Sequence, residues 1–269
     1  MFSGIIRRSP TATEASAGVA TDVFGSLDPN NIPEHIAVIM DGNGRWAKKQ
    51  GMSKRLFGHN NAIEAVRACS EGCAELGVKY LTLYAFSTEN WGRPQEEVDG
   101  LMSLLVHTIA AETPTLNKNQ IRLTTIGHTA GLPVACQAEL AKAMEDTAAN
   151  TRMTLVLALN YSGRWDITQA MAQMASKVAA DELNPADITS EIISAHMSTA
   201  NMPDPELLIR TSGELRISNF LLWQLAYTEL YITETLWPDF RKEDLHAALA
   251  AYQIRDRRFG RVQSTDQTT

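Results

Sequence analysis

The chain has 269 residues, 44% hydrophobic and 20% charged, with a net charge of −7 and a pI near 5.4. That length buries a real core in one large domain or two small ones. The acidic balance disfavours whole-molecule attraction to nucleic acid or anionic lipid, so a bound anion must be captured by a local basic cluster. The longest apolar runs fall far short of the ~18 residues needed to span a bilayer.

In chain order, residues 1–31 are rich in Ser, Thr, Ala and Gly and lack a period, and Arg7 and Arg8 precede no apolar stretch. A disordered tail is expected there rather than a signal peptide, and residues 261–269 read the same way. Between the tails, β-like runs fall at 36–40, 80–86, 121–126, 154–159, 207–210 and 230–233. Ala62, Val66, Cys69, Cys73 and Leu76 form one helical stripe after the first run. Val98, Leu101, Met102, Leu105 and Ile109 form another after the second. Leu104 and Val106 widen that second stripe, so the helix over 96–111 is either fully buried or lines an apolar cavity. The three cysteines, Cys69, Cys73 and Cys136, lack C-x-x-C spacing and read as buried reduced thiols. Six strands separated by helices predict one α/β domain over 32–260, with a central, mostly parallel six-stranded sheet flanked by helices.

Polar segments recur directly after strands: 41–45 after the first, 87–90 after the second, 160–164 after the fourth and 211–214 after the fifth. In open α/β sheets the ligand crevice lies at the carboxyl ends of the strands, so these segments should converge on one site. The first, Asp41-Gly-Asn-Gly-Arg-Trp-Ala, satisfies the dinucleotide fingerprint G-x-G-x-x-A. Two features oppose that reading. The acid nearest the required spacing, Glu64, sits in a helical pattern, and Asp41 would repel a pyrophosphate. A carboxylate beside a diphosphate makes sense when a cation such as Mg²⁺ lies between them. Gly42 and Gly44 would then let backbone N–H groups approach a phosphate. Arg45, Arg55, His59, Arg93, Arg210 and Arg216 could supply a two-anion site, since guanidinium groups suit phosphate geometry. Taken singly, each is an ordinary surface charge. Ser87, Asn90 and Ser218 could add hydrogen bonds or take part in proton transfer, or serve only as caps and turns.

Five segments, "HIAVIMDGNGRWAKKQG", "FGH", "LTLYAFSTENWGRP", "NYSGRWDI" and "IRTSGELRISNFLLWQLAYTELYIT…LWPDF", resemble the ordered signature of the cis-prenyltransferase family. The likeness covers roughly residues 32 to 260 and is strongest to the bacterial members that make an undecaprenyl (C55) chain. It implies repeated condensation of isopentenyl diphosphate onto an allylic diphosphate such as farnesyl diphosphate, with Mg²⁺, in a homodimer enclosing a hydrophobic tunnel. The product would be the lipid carrier for cell-wall polysaccharide synthesis. Carried onto matching positions, Asp41 is the essential acid and a metal ligand, and Glu229 the second metal carboxylate. Gly42, Asn43, Gly44, Arg45, Arg55 and His59 would hold the allylic diphosphate, with Trp46 close by. Ser87, Thr88, Glu89, Asn90, Trp91 and Arg93 form the central substrate segment, in which Asn90 resembles the position of proton transfer. Arg210, Arg216, Ile217 and Ser218 resemble the isopentenyl diphosphate site. Ala85 would border the tunnel and limit product length. Arg258 and Gly260 resemble an R-x-G motif that reaches the neighbour's site. The likeness also implies a cytoplasmic protein that meets the inner membrane transiently and binds no nucleic acid.

The chain departs from some relatives at Ser162, Ser212 and Leu215, and one residue inserted between Gly51 and Arg55 leaves Lys54 as an alternative to Arg55. No D-D-x-x-D motif occurs, which argues against the all-α prenyltransferases. Two other readings stand beside the main one: the same chemistry with a different product length, and a non-catalytic binding subunit of the same fold.

Overall fold

The structure, a computed structural model, describes residues 27–52 and 56–256, the side chains of residues 56–60 excepted. Arg55, Arg258 and Gly260, and most of both expected tails, lie outside the described residues, as does the side chain of His59. Residues 27–31 were expected to belong to the N-terminal tail, but they are ordered. Asp28 caps a short 3-10 turn over Pro29–Asn31, and the Gln253 side chain donates to the Asp28 and Asn31 carbonyls at 2.8 and 3.0 Å.

The strands are β1 (His35–Ile39), β2 (Tyr80–Ser87), β3 (Ile121–Ile126), β4 (Met153–Tyr161), β5 (Leu207–Arg210) and β6 (Glu229–Ile232). They form one sheet in the order β3-β4-β2-β1-β5-β6, and every pairing is parallel. The expectation of a mostly parallel sheet is thus exceeded. Burial follows position, as it must when helices cover both faces. The inner strands β1 and β5 are buried throughout, and the edge strands β3 and β6 are not.

Alternation divides each inner strand between two cores. Ile36, Val38, Leu155, Leu157 and Leu159 face one, together with α2 (Leu56–Glu75), α3 (Gln95–Lys118), α4 (Val134–Asp146) and α7 (Lys242–Gln253). Ala37, Ile39, Val156, Ala158 and Tyr161 face the other, with Phe220, Leu221 and Trp165 of α5 (Gly163–Ala179). The remaining helices are α1 (Asn43–Lys49) and α6 (Ser190–His196). All three cysteines are buried free thiols. Helix α3 outruns the predicted 96–111 and continues through Pro114. Among the described residues, no helix is long and apolar enough to cross a membrane.

At the start of β1, His35 is buried, and its ring ties three segments together. Nδ1 donates to the Pro203 carbonyl at 2.7 Å, and Nε2 accepts from the Thr82 hydroxyl at 2.7 Å. Burial lowers its pKa from 6.5 to about 4, against the opposing pull of the Pro203 carbonyl. The folded protein therefore keeps the ring neutral while the unfolded chain binds a proton below pH 6.5. Stability contributed by the neutral ring is present above pH 6.5 and is lost as pH falls through 4, by about 3 kcal/mol. Urea unfolding across this range should show the parent losing about that much more stability than His35→Gln, whose unfolding lacks this proton uptake. Parallel pH profiles would mean that the ring titrates normally.

Candidate active site at the strand ends

The parallel sheet brings the carboxyl ends of β1, β2, β4 and β5 to one edge, where a cavity of about 610 Å³ opens. Its mouth is lined by Asp41, Asn43, Ser87, Glu89, Asn90, Arg93, Arg210, Arg216 and Ser218. Ala85, Leu101, Leu104 and Leu105 line its apolar part. A second cavity of about 130 Å³ lies beneath and shares Met40, Val66, Ala85, Leu105 and Thr108 with it. Helix α3 therefore does line an apolar cavity, which decides between the two expectations for it.

Asp41 is fixed from several sides. The Thr211 hydroxyl accepts its N–H at 2.9 Å and donates to its carbonyl at 2.6 Å, and Trp237 N–H donates to the same carbonyl at 3.0 Å. Gly42 N–H donates to Oδ1 at 2.7 Å, and Arg210 Nη2 to Oδ2 at 2.7 Å. Burial would push this carboxyl up, but the Arg210 guanidinium, helped by Gly42 and Arg45, holds it below the usual carboxylate range. The Asp41 side chain keeps a third of its surface exposed, whereas that of Arg210 is 3% exposed. Arg210 Nη1 donates to Ser218 Oγ at 2.9 Å and to the Arg216 carbonyl. Its Nε is buried and has no hydrogen-bond partner, an unused donor of the kind that a bound anion satisfies.

Gly42 precedes α1 with φ +109°, and a Cβ there would lie 2.9 Å from Leu236 Cδ2 and 3.1 Å from Ser212 Cβ. Only glycine meets both demands. Gly44 and Arg45 follow within α1. Arg45 Nη1 donates to the Ser212 carbonyl at 2.8 Å, and Glu214 bridges Arg45 and Arg216 at 3.2 and 2.7 Å. Trp46 Nε1 donates to Asp239 Oδ1 at 2.7 Å. Ile217 packs into the second core.

Ser87 ends β2 and caps a 3-10 turn over Thr88–Gly92, with Asn90 Oδ1 accepting Ser87 N–H at 3.1 Å. Glu89 accepts from Thr88 Oγ1 at 3.2 Å and from Asn219 Nδ2 at 2.7 Å. Burial opposes these bonds, yet they hold its carboxyl below the usual range. Trp91 Nε1 donates to Asn160 Oδ1 at 2.8 Å, and Asn160 Nδ2 donates to the His128 carbonyl at 3.0 Å. Arg93 turns to Glu97 at 2.9 Å.

Glu229, expected beside Asp41, is not brought there. It opens β6 opposite Leu207, three residues before the level of Arg210, roughly 10 Å along the strand. Its carboxylate accepts from Arg255 Nη1 at 2.7 Å. The parallel register is the cause, because it places the beginning of β6 away from the carboxyl ends where Asp41 stands. Sequence reasoning missed Thr211, Asn160 and Asn219 as braces. Their segments were visible as polar runs after strands, but their partners lie far off in the chain.

The Asn160 tether should be measurable. Asn160 has φ +49°, so Asn160→Gly keeps the backbone permissible while removing the amide. Hydrogen exchange over residues 88–92 should then speed up at least tenfold without global unfolding. Unchanged protection would mean that the turn holds itself.

A family model described as "Putative undecaprenyl diphosphate synthase" matches residues 39–260. An isoprenyl transferase of Heliobacterium mobile is 50% identical over 236 residues, 88% of this chain and 90% of that protein. The ditrans,polycis-undecaprenyl-diphosphate synthase ((2E,6E)-farnesyl-diphosphate specific) of Haemophilus ducreyi is 50% identical over 235 residues, 87% of this chain and 97% of that one. Among solved structures, lavandulyl diphosphate synthase from Lavandula x intermedia, in complex with dimethylallyl diphosphate, superposes with a TM-score of 0.84 at 38% identity. It covers 86% of this chain and 99% of that one. With its parallel sheet, its arginine-lined cavity and these matches along nearly all of the described residues, the chain belongs to the undecaprenyl diphosphate synthase family of prenyltransferases.

Proposed function

We propose that this prenyltransferase adds isopentenyl diphosphate repeatedly to an allylic diphosphate, farnesyl diphosphate, and makes undecaprenyl diphosphate, the carrier lipid of cell-wall polysaccharide synthesis. One observation carries the reading: a single cavity has a mouth of arginines around Asp41 and an apolar interior between α2 and α3. Such a space suits a molecule with a diphosphate at one end and a hydrocarbon at the other. The two adjoining cavities would together form the channel for the growing tail.

Each addition forms one carbon–carbon bond, releases diphosphate from the primer and removes a proton from the isopentenyl unit. Arg45 would grip the allylic diphosphate, while Arg210, through its unused Nε, Arg216 and Ser218 would grip the isopentenyl diphosphate. Holding the alkene against the allylic carbon supplies the proximity term, and the same guanidinium groups stabilise the departing charge. Asn90 is too weak a base to keep a proton, so its amide would orient the isopentenyl unit while the departing diphosphate takes the proton. The part-exposed Asp41 carboxylate suits Mg²⁺, which is held by one or two carboxylates plus substrate phosphates. Asp41 would hold that ion, which supplies charge neutralisation for the leaving diphosphate. Glu229, held by Arg255, is left out of this set.

A second copy of the chain would seat against the β6 edge, where Tyr227, Leu230 and Ile254 expose apolar surface. The enzyme would work in the cytoplasm and meet the inner face of the membrane only to release its product.

Chromatography of the product from farnesyl and isopentenyl diphosphates with Mg²⁺ tests the whole reading. Asp41→Asn should lower turnover at least 100-fold, about 2.7 kcal/mol of barrier, in a protein whose melting is still cooperative. Turnover within tenfold of the parent would remove Asp41 from the reaction. Arg216→Ala should raise KM for isopentenyl diphosphate at least tenfold and that for the primer far less. Equal effects would reverse or merge the two sites. Ala85→Leu narrows the junction of the two cavities and should shorten the main product. A stability loss of about 1–3 kcal/mol from overpacking, with product length unchanged, would show that Ala85 serves packing alone.

A further inference from the structure

The wall of the deeper cavity changes character along both helices at the same depth. On α3 the residues facing the two cavities are Leu101, Leu105, Thr108 and Ile109, and then Glu112, Thr115 and Asn119. On α2 they are Ile63 and Val66, and then Arg67, Ser70 and Glu71. An apolar stripe at helical spacing thus becomes polar on each side, and the two polar ends are joined. Arg67 Nε donates to Glu112 Oε2 at 3.0 Å while Nη2 donates to Oε1. Asn119 Nδ2 donates to Glu71 Oε1 at 3.3 Å one helical turn or more beyond.

The Arg67–Glu112 pair is two-pronged, and the Glu112 side chain is only 14% exposed. Both features distinguish it from an ordinary surface ion pair. Ser70 Oγ, buried in the same wall, has no hydrogen-bond partner. Helix α3 is also weakened at this level. Pro114 has no N–H to give the Ala110 carbonyl, and the Thr113 hydroxyl donates back to the Ile109 carbonyl at 2.7 Å. Such back-bonding and proline are recognised places for a helix to bend.

The deeper cavity, about 130 Å³, is close in size to a cavity that takes up one benzene. A polyprenyl tail that reaches it soon meets its end, and further growth requires that end to yield. We infer that the Arg67–Glu112 ion pair, set beside the Pro114 break in α3, is the gate at the deep end of the channel and sets how far the prenyl chain grows. This rests on the elongation reading above. Growth past the gate would part α2 from α3 and strand a charged pair against hydrocarbon, whereas an uncharged pair would resist far less.

The test is the product-length distribution from radiolabelled isopentenyl diphosphate, farnesyl diphosphate and Mg²⁺. The variants are Arg67→Met, Glu112→Gln and the exchanged pair Arg67→Glu/Glu112→Arg. Each single variant should move the main product upward by two or more C5 units, and the exchanged pair should return it to the parental length. Glu112→Gln is nearly isosteric and guards against a result due to misfolding. Parental or shorter products from both single variants, beside a working parent, would overturn the gate alone. Lengthening in the single variants without return in the exchanged pair would assign the effect to side-chain bulk and overturn the ionic gate. No polyprenyl product from the parent would overturn the elongation reading itself, and the gate with it.

Discussion

A guanidinium buried at the end of β5 dictates how the loops around the site are arranged. Arg210 is almost wholly enclosed, and an unpaired charge in such a place would be strongly destabilising. Its balance is met by Asp41, which stands at the end of the neighbouring strand only because β1 and β5 pair in parallel. The remaining donors draw in the Arg216 carbonyl and Ser218 Oγ, which obliges the chain after β5 to curl back over its own strand. The strand order and the path of that loop thus meet the needs of one side chain. Because Nε is left over, the arrangement is charge-balanced yet still able to bind an anion.

That curl has a backbone consequence. Ser212, Ser218 and Asn219 all hold positive φ, at 76°, 48° and 60°, a region in which L-residues are uncommon. Such conformations persist where surrounding bonds over-determine them, and they gather at functional sites. Ser212 N–H is held by the Thr235 carbonyl at 2.9 Å, and the Asn219 carbonyl accepts from Gly163 N–H. The loop is therefore pre-shaped by contacts outside the cavity, so a substrate need not order it on arrival.

The alternating β-like and helical patterns gave the six strands and their parallel arrangement because each depends on local periodicity. The polar ends of β1, β2 and β5 were legible for a related reason. A parallel sheet sends every strand's carboxyl end to one edge, so order along the chain already implies convergence of Asp41, Asn90 and Arg210. Glu229 was misplaced by the same local view. It sits at the beginning of its strand, and its carboxylate is aimed by Arg255, 26 residues later, which no spacing reveals. Thr211, Asn160 and Asn219 were overlooked because their roles exist only as bonds to distant partners. Helix α3 ran past its expected end because packing against α2 and α4 overrides the local disfavour of Pro114.

Strand β2 joins the polar and apolar halves of the site. Its register against β4 shifts between Tyr84 and Phe86, and again before Ser87, as happens where a bulge bends a strand and re-aims its side chains. Above the shift, Ser87 hands the chain to the turn that holds Asn90. At the shift, Ala85 borders both cavities, while Leu83 below it borders only the deeper one. A regular strand would fix the facing of all three by strict alternation. The irregularity lets one strand place a polar turn at the mouth and small apolar wall directly beneath it. The Trp91–Asn160 bond then ties that turn to the end of β4, the strand against which the shift occurs. The position of the reacting groups and the width of the passage below them are therefore set by the same pairing of β2 with β4, and a change that alters one will be felt by the other.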